Sequence, residues 1–153
     1  MLLEAHVDFV VVGVVAAIAH GSSYLTRDFD AVVDLGVQNC RRILAALGPY
    51  EPRFYQAHGK PAVTRSAEEL AEFKNLYWET QLGVIDLLGS LPPIGDFATV
   101  SDRAAHTRLY DHDCLLLSLD DLIEVKAFVG RPKDKLVEVE LRAIRERLRA
   151  QQK

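Results

Sequence analysis

Two aspartates stand two positions apart in the segment GSSYLTRDFDAVVD, directly before a run of apolar residues. Side chains at positions i and i+2 of a β-strand point to the same face of a sheet, so Asp28 and Asp30 are expected to project together. Two carboxylates at such a short distance repel each other unless a cation lies between them. Mg²⁺ suits such a pair, because it prefers oxygen ligands and keeps waters or substrate phosphates in its remaining positions. The spacing indicates a metal site for chemistry on a nucleotide.

A third acid, Asp86, lies inside the apolar segment GVIDLLG. A buried carboxylate without a partner costs several kcal/mol, so Asp86 is expected to face a metal, a cation or water. If its strand lies beside the strand of Asp28 and Asp30, the three carboxylates can bind two metal ions for phosphoryl or nucleotidyl transfer. A simpler interpretation stays open. Asp28 would then only begin a strand or turn, and Asp86 would pair with a lysine or arginine.

The elements that would position these acids follow from periodicity and capping. The β-branched run VDFVVV and the segment FDAVVD predict strands, while the alanine-rich VVAAIAH and the apolar stripe of VQNCRRILAALG predict helices. NLYWET and LGVIDLLG predict an antiparallel hairpin, and DCLLLS a last strand. Ser66 and Ser118 each begin a helix-capping pattern, and Pro132 opens a final amphipathic helix. We therefore predict an α/β (α+β) fold with a mixed sheet flanked by helices.

Length and composition limit the class of protein. A chain of 153 residues predicts one domain, residues 1–153. Its composition, with 49% hydrophobic and 26% charged residues, is typical of globular proteins. The net charge of −4 gives no general attraction to nucleic acid. The apolar run 9–19 is too short to cross a membrane. Cys40 and Cys114 do not have the spacing of a metal site or of a disulfide framework, which fits a reducing compartment. A cytoplasmic location is therefore expected.

Two blocks of the sequence resemble a known family. VVVGVVAAIAHGSSYLTRDFDAVVD has a glycine after the first strand, a helix ending in His-Gly, and Thr-Arg-Asp-hydrophobic-Asp. It is similar to the signature of the nucleotidyltransferase superfamily of the polymerase-beta-like fold, in particular to minimal bacterial members related to the AbiEii toxin. The tail LSLDDLIEVKAFVGRPKDKLVEVE resembles the closing block of those proteins. The resemblance implies transfer of a nucleoside monophosphate from an NTP such as ATP to a hydroxyl acceptor, in a toxin–antitoxin or defence context.

The resemblance also implies roles for individual residues. Asp28 and Asp30 would hold Mg²⁺ on the triphosphate, and Asp86 would complete a second Mg²⁺ site and help to deprotonate the acceptor. Gly13 would lie near the phosphates. The implied cations are Lys126 and Lys133, with Arg131 as a weaker candidate.

Positions that depart from the family pattern weaken the expected phosphate site. Val14 replaces a second glycine or a serine, and Tyr24 stands where many relatives have an arginine, for which Arg27 could substitute. Ser22 and Ser23 could donate to phosphate or cap a turn. The departures motivate an alternative function, a non-catalytic protein that binds an antitoxin or another partner.

Several other polar residues are expected to be structural. His20 is expected to bond to the backbone at a helix end, and the cluster HTRLYDHD to form a polar hairpin turn without a zinc pattern. Tyr77 and Trp78 are expected in the core or on a strand face.

Overall fold

The chain alternates short strands and helices and ends in two consecutive helices. The computed structural model describes all residues from Met1 to Lys153. The strands are β1 (Phe9–Val12), β2 (Asp28–Val33), β3 (Arg53–Phe54), β4 (Asn75–Thr80), β5 (Gly83–Leu88), β6 (Ser90–Leu91), β7 (Gly95–Asp96), β8 (Ala105–Leu109) and β9 (His112–Leu116). The helices are α1 (Gly13–Ala19), α2 (Val37–Leu47), α3 (Ala67–Leu70), α4 (Phe97–Arg103), α5 (Leu119–Val129) and α6 (Pro132–Gln151), and a 3₁₀ turn covers Gly48–Tyr50.

Seven strands form one mixed sheet in the order β3-β4-β5-β2-β1-β9-β8. The pairs β2–β5 and β1–β9 are parallel, and the other pairs are antiparallel. β6 and β7 form a separate ribbon. The predicted mixed α+β fold with helices around a mixed sheet is confirmed at this level.

The predicted β4–β5 hairpin is present, but β8 and the two-residue strands β6 and β7 were not predicted. β8 has the sequence AHTRL, and its polar residues gave no apolar alternation because it is an edge strand with exposed side chains. It joins β9 through Tyr110 and Asp111, both with positive φ, as in a tight two-residue hairpin turn. The expected polar hairpin turn in HTRLYDHD is therefore confirmed.

The predicted helix starts also appear. The Ser66 hydroxyl accepts from the Glu69 amide at 3.2 Å, and the Glu69 carboxylate accepts from the Ser66 amide at 2.8 Å, which is a complete capping box. The Ser118 hydroxyl caps α5 by accepting from the Asp121 amide at 3.2 Å. Gly130, in the left-handed region with φ 66°, ends α5 and lets the chain reverse into α6.

The core lies on both faces of the sheet. Val10 and Val32 are fully buried on the face that carries the candidate acids, while Trp78 and Leu87 are fully buried on the other. Trp78 packs edge to face against Phe54, so its predicted core role is confirmed. None of the helices combines the length and the hydrophobicity that a membrane crossing requires.

Candidate active site

Asp30 and Asp86 are neighbours across two parallel strands. Their Cα atoms are register partners between β2 and β5, so both side chains project from the same face of the sheet. Asp28 lies two residues before Asp30 on that face and is exposed, whereas Asp30 and Asp86 are half-buried. The hairpin and the parallel pairing thus bring together the three acids that the sequence singled out.

The surroundings of Asp30 disfavour its charged form. Burial and then the nearby charges of Asp86 and Asp28 raise its pKa to about 6, although the charges of Lys126 and Lys133 oppose the rise. Burial also raises the pKa of Asp86, and a hydrogen bond from Tyr55 opposes that rise. None of the three carboxylates forms an ion pair, and the partner of Asp86 is a tyrosine rather than a lysine or arginine.

Gly13 provides the space that the Asp30 carboxylate occupies. It is the first residue of α1 and has φ 65°, in the left-handed region that favours glycine. A Cβ atom built on Gly13 would lie 2.3 Å from Oδ2 of Asp30. The carboxylate is therefore packed directly against the backbone where β1 turns into α1.

Gly13→Ala is expected to destabilise the protein by roughly 1–3 kcal/mol and to weaken any Mg²⁺ binding. An alanine would combine left-handed strain with a displaced Asp30 side chain. Chemical denaturation and a Mg²⁺ titration monitored by thermal shift measure the two effects. Gly48→Ala is the matched control, because Gly48 has φ −51° and no atoms within 4 Å of a built Cβ. Equal stability of both variants would contradict the packing described for Gly13.

Three charged residues from α5, α6 and the turn between them line the same cavity as two of the acids. The Lys126 ammonium donates to Oδ1 of Asp134 at 2.9 Å, and the Arg131 guanidinium donates to Oδ2 at 2.6 Å. These residues line a cavity of about 210 Å³ together with Gly13, Asp30 and Asp86. The side chains of Lys126 and Asp134 are 11% and 2% exposed. A buried ion pair and the carboxylates of Asp30 and Asp86 thus line one cleft.

Lys133 is exposed near the cleft. Its positive charge acts on Asp30, and no carboxylate pairs with it. Near the cleft, Lys133 is therefore the predicted cation without an ion-pair partner, whereas Lys126 and Arg131 both pair with Asp134.

Other predicted phosphate-binding residues lie away from the acids. The Ser22 hydroxyl donates to the Glu140 carboxylate at 2.6 Å, and the Ser23 amide and hydroxyl donate to it at 2.8 and 2.7 Å. Arg27 lines a different, apolar cavity beside Phe29, whose side chain projects from the opposite face of β2 to Asp28 and Asp30. The structure therefore does not bring Ser22, Ser23 or Arg27 to the acids, because α6 binds the serines and strand alternation turns Arg27 away.

The remaining predicted structural residues have ordinary partners. His20 donates from Nε2 to the Leu117 carbonyl at 2.8 Å, which ties the end of α1 to the chain after β9. Cys40 and Cys114 are buried thiols.

Val14 is buried, and its side chain does not line the cleft, so the valine that replaces the family's small residue lies outside the cavity wall.

Tyr55 was not predicted as a site residue. Its hydroxyl donates to Oδ1 of Asp86 at 2.9 Å, and its ring packs edge to face against Tyr77. Burial and then the hydrogen bond to Asp86 raise the pKa of Tyr55 to about 12, so the hydroxyl stays a donor at neutral pH. The sequence around Phe54 and Tyr55 gave no indication of a contact with a residue of β5.

The donor set fits Mg²⁺ in chemistry and in charge. Asp30 and Asp86 offer carboxylate oxygens side by side, and their pKa values are raised by burial and then by neighbouring carboxylates, a cost of the charged form that a bound cation would offset. No group of three or more histidine, cysteine or acidic side chains forms a preassembled metal cage. Mg²⁺ commonly uses one or two carboxylates and completes its shell with water and phosphate, so an open pair is sufficient.

The fold and the site together define a class, a mixed α+β domain with paired carboxylates on adjacent parallel strands. Neither the models of known protein families nor the curated proteins include a match to this chain.

Proposed function

We propose that the chain is a Mg²⁺-dependent nucleotidyltransferase of the polymerase-beta-like fold, which transfers a nucleoside monophosphate from an NTP to a hydroxyl. One observation carries the proposal. Asp30 and Asp86 lie in register on adjacent parallel strands, without ion-pair partners, at a cleft where Gly13 admits the Asp30 carboxylate. Uncompensated acids at an open cleft are typical of functional sites rather than of structural ion pairs.

The residues of the cleft have separate roles in this reaction. Asp28 and Asp30 would hold Mg²⁺ at the triphosphate, and Asp86 would share the metal site and accept the proton of the attacking hydroxyl. Mg²⁺, when bound, would neutralise charge on the phosphates. Lys133 adds a positive charge at the rim. The acceptor oxygen attacks the α-phosphorus, the bond to the β-phosphate breaks, and pyrophosphate leaves.

The size of the cleft bears on how much of a bound NTP would fit inside it. A volume of about 210 Å³ is smaller than the roughly 300–1,000 Å³ of typical small-molecule sites. Phosphate groups therefore enter the cleft and the base stays at its rim. A cytoplasmic location and a toxin–antitoxin context accompany the proposal as expectations from the sequence.

A second candidate function is supported by the occupied hydrogen-bond donors. Glu140 binds both Ser22 and Ser23, and Asp134 binds Lys126 and Arg131, so most predicted phosphate donors are already satisfied within the chain. A protein with this arrangement could have lost catalysis and could bind a partner instead, as one half of a toxin–antitoxin pair.

Calorimetry separates the two candidates. The catalytic proposal predicts binding of ATP or another NTP only when Mg²⁺ is present, and loss of that binding in Asp30→Asn. The matched control is Asp113→Asn, which removes an exposed carboxylate from β9 of the same sheet. A folded wild-type chain that binds no NTP in the presence of Mg²⁺ supports the partner-binding function and rejects the catalytic one.

A further inference from the structure

The loop after β3 places one phenol at the acidic site. Phe54 packs against Trp78 on the opposite face of the sheet, so the next residue, Tyr55, projects toward the face of Asp86. The loop is held at its base, because the Phe54 amide donates to the Pro61 carbonyl at 3.0 Å and Arg53 bridges to Ala62. These two contacts hold the backbone that positions Tyr55 beside Asp86.

The Tyr55 hydroxyl occupies the position that an acceptor hydroxyl needs. It donates to Oδ1 of Asp86 at 2.9 Å, within the reach required between a hydroxyl and its general base. The ring of Tyr55 is supported by Tyr77, with centroids 6.4 Å apart.

We propose that Tyr55 is a nucleotide acceptor and that the chain modifies itself there, an inference that rests on the proposed nucleotidyltransferase function. The Tyr55 oxygen forms a bond to the α-phosphorus of the bound NTP, and its proton passes to Asp86. The bond between the α-phosphorus and the bridging oxygen breaks, and pyrophosphate leaves with that electron pair. The product is a phosphodiester between Tyr55 and a nucleoside monophosphate.

Other hydroxyls near the site are differently placed. The Tyr77 hydroxyl accepts a hydrogen bond from the Asn75 amide at 3.1 Å, and no hydrogen bond joins it to a carboxylate. Ser22 and Ser23 donate to Glu140. Tyr55 is therefore the hydroxyl that the geometry selects.

Intact-mass spectrometry of the full chain, incubated with MgCl₂ and each of the four NTPs, tests the proposal. The expected result is a gain of one nucleoside monophosphate per chain, mapped to Tyr55 by peptide fragmentation, at a rate that does not depend on protein concentration. Tyr55→Phe abolishes the adduct, and the matched control Tyr77→Phe retains it. Both substitutions keep the aromatic ring and remove only a hydroxyl, so folding is not at issue.

Calorimetry with Mg²⁺ and a non-hydrolysable α,β-methylene NTP separates the two levels of failure. If the analogue binds and loses its binding in Asp30→Asn, but NTP leaves no adduct or an adduct on another residue, the self-modification is rejected and the nucleotidyltransferase proposal stands. If the analogue does not bind, both are rejected.

Discussion

Asp30→Asn is expected to lower nucleotidyl transfer from an α-labelled NTP by roughly a thousandfold or more. Removing a carboxylate that holds a catalytic metal costs several kcal/mol of transition-state stabilisation, and each 1.4 kcal/mol is about tenfold in rate. The measurement is the appearance of label in RNA, protein or small molecules of a cell extract to which the purified chain is added with Mg²⁺. Asp113→Asn serves as the control and keeps the activity of the wild type. Unchanged transfer by Asp30→Asn rejects the assignment of Asp30.

The same substitution is expected to stabilise the metal-free protein, which excludes unfolding as the cause of lost activity. The pKa of Asp30 is raised from 3.8 to about 6, chiefly by burial, so the folded state favours the protonated form. The contribution of the neutral Asp30 side chain to folding stability is therefore fully present below pH 3.8. It is lost as the pH rises through about 6, a loss of at most roughly 3 kcal/mol. Because the asparagine side chain stays neutral, the variant should exceed the wild type by about 1–3 kcal/mol at pH 8 and match it near pH 3.5.

Denaturation curves at several pH values, without and with Mg²⁺, measure this difference. Mg²⁺ binds only the folded wild type and should recover its stability at pH 8, while the Asp30→Asn variant gains little. A variant less stable than the metal-free wild type at pH 8 would contradict the burial of an uncompensated charge at Asp30.

Asp134→Ala is expected to lower the free energy of unfolding by about 3–5 kcal/mol, because it leaves the buried Lys126 ammonium without its carboxylate. Burial alone would raise the pKa of Asp134, but hydrogen bonds from Arg131 and Lys126 and their charges hold it below its usual range. The stabilising effect of Asp134 is thus present at neutral pH and is lost as the pH falls through its lowered pKa. Chemical denaturation at pH 7 and in acid measures both features.

The matched control for Asp134 is Asp120→Ala. Both aspartates lie in the first turn of a helix and pair with an arginine, but Asp120 is 68% exposed and pairs with Arg145 at 3.1 Å on the surface. An exposed pair contributes about 0–1 kcal/mol, so this variant should be nearly neutral. Similar losses in both variants would show that helix-end charge, and not the buried pair with Lys126, determines the stability.

Local rules account for much of the architecture. Period-two alternation predicted that Asp28 and Asp30 share a face, and the capping patterns at Ser66 and Ser118 predicted two helix starts that the structure contains. These features depend on residues within a few positions of each other, so the sequence is sufficient to predict them. The edge strand β8 escaped, because an exposed strand needs no apolar alternation.

Contacts between distant segments leave no comparable pattern in the sequence. Ser22 and Ser23 were equally compatible with phosphate and with a turn, and only the packing of α6 brings Glu140 to them. Tyr55 and Asp86 are 31 positions apart, and the two meet because β3, β4 and β5 are adjacent in the sheet. Side-chain partners at such separations depend on the pairing order of strands and helices, which residue types do not encode locally.

The sequence by itself determined the acid pair on one face of a strand, the glycine at the start of α1, the helix starts at Ser66 and Ser118, and the mixed α+β class. Only the tertiary structure decided that β5 lies parallel to β2 with Asp86 opposite Asp30, since a slip of one residue would turn Asp86 to the other face. It likewise decided that Lys126 pairs with Asp134 while Asp30 has no ion-pair partner. The physical reason is that strand alternation and helix capping act over a few residues, whereas register and charge pairing arise when the whole core packs.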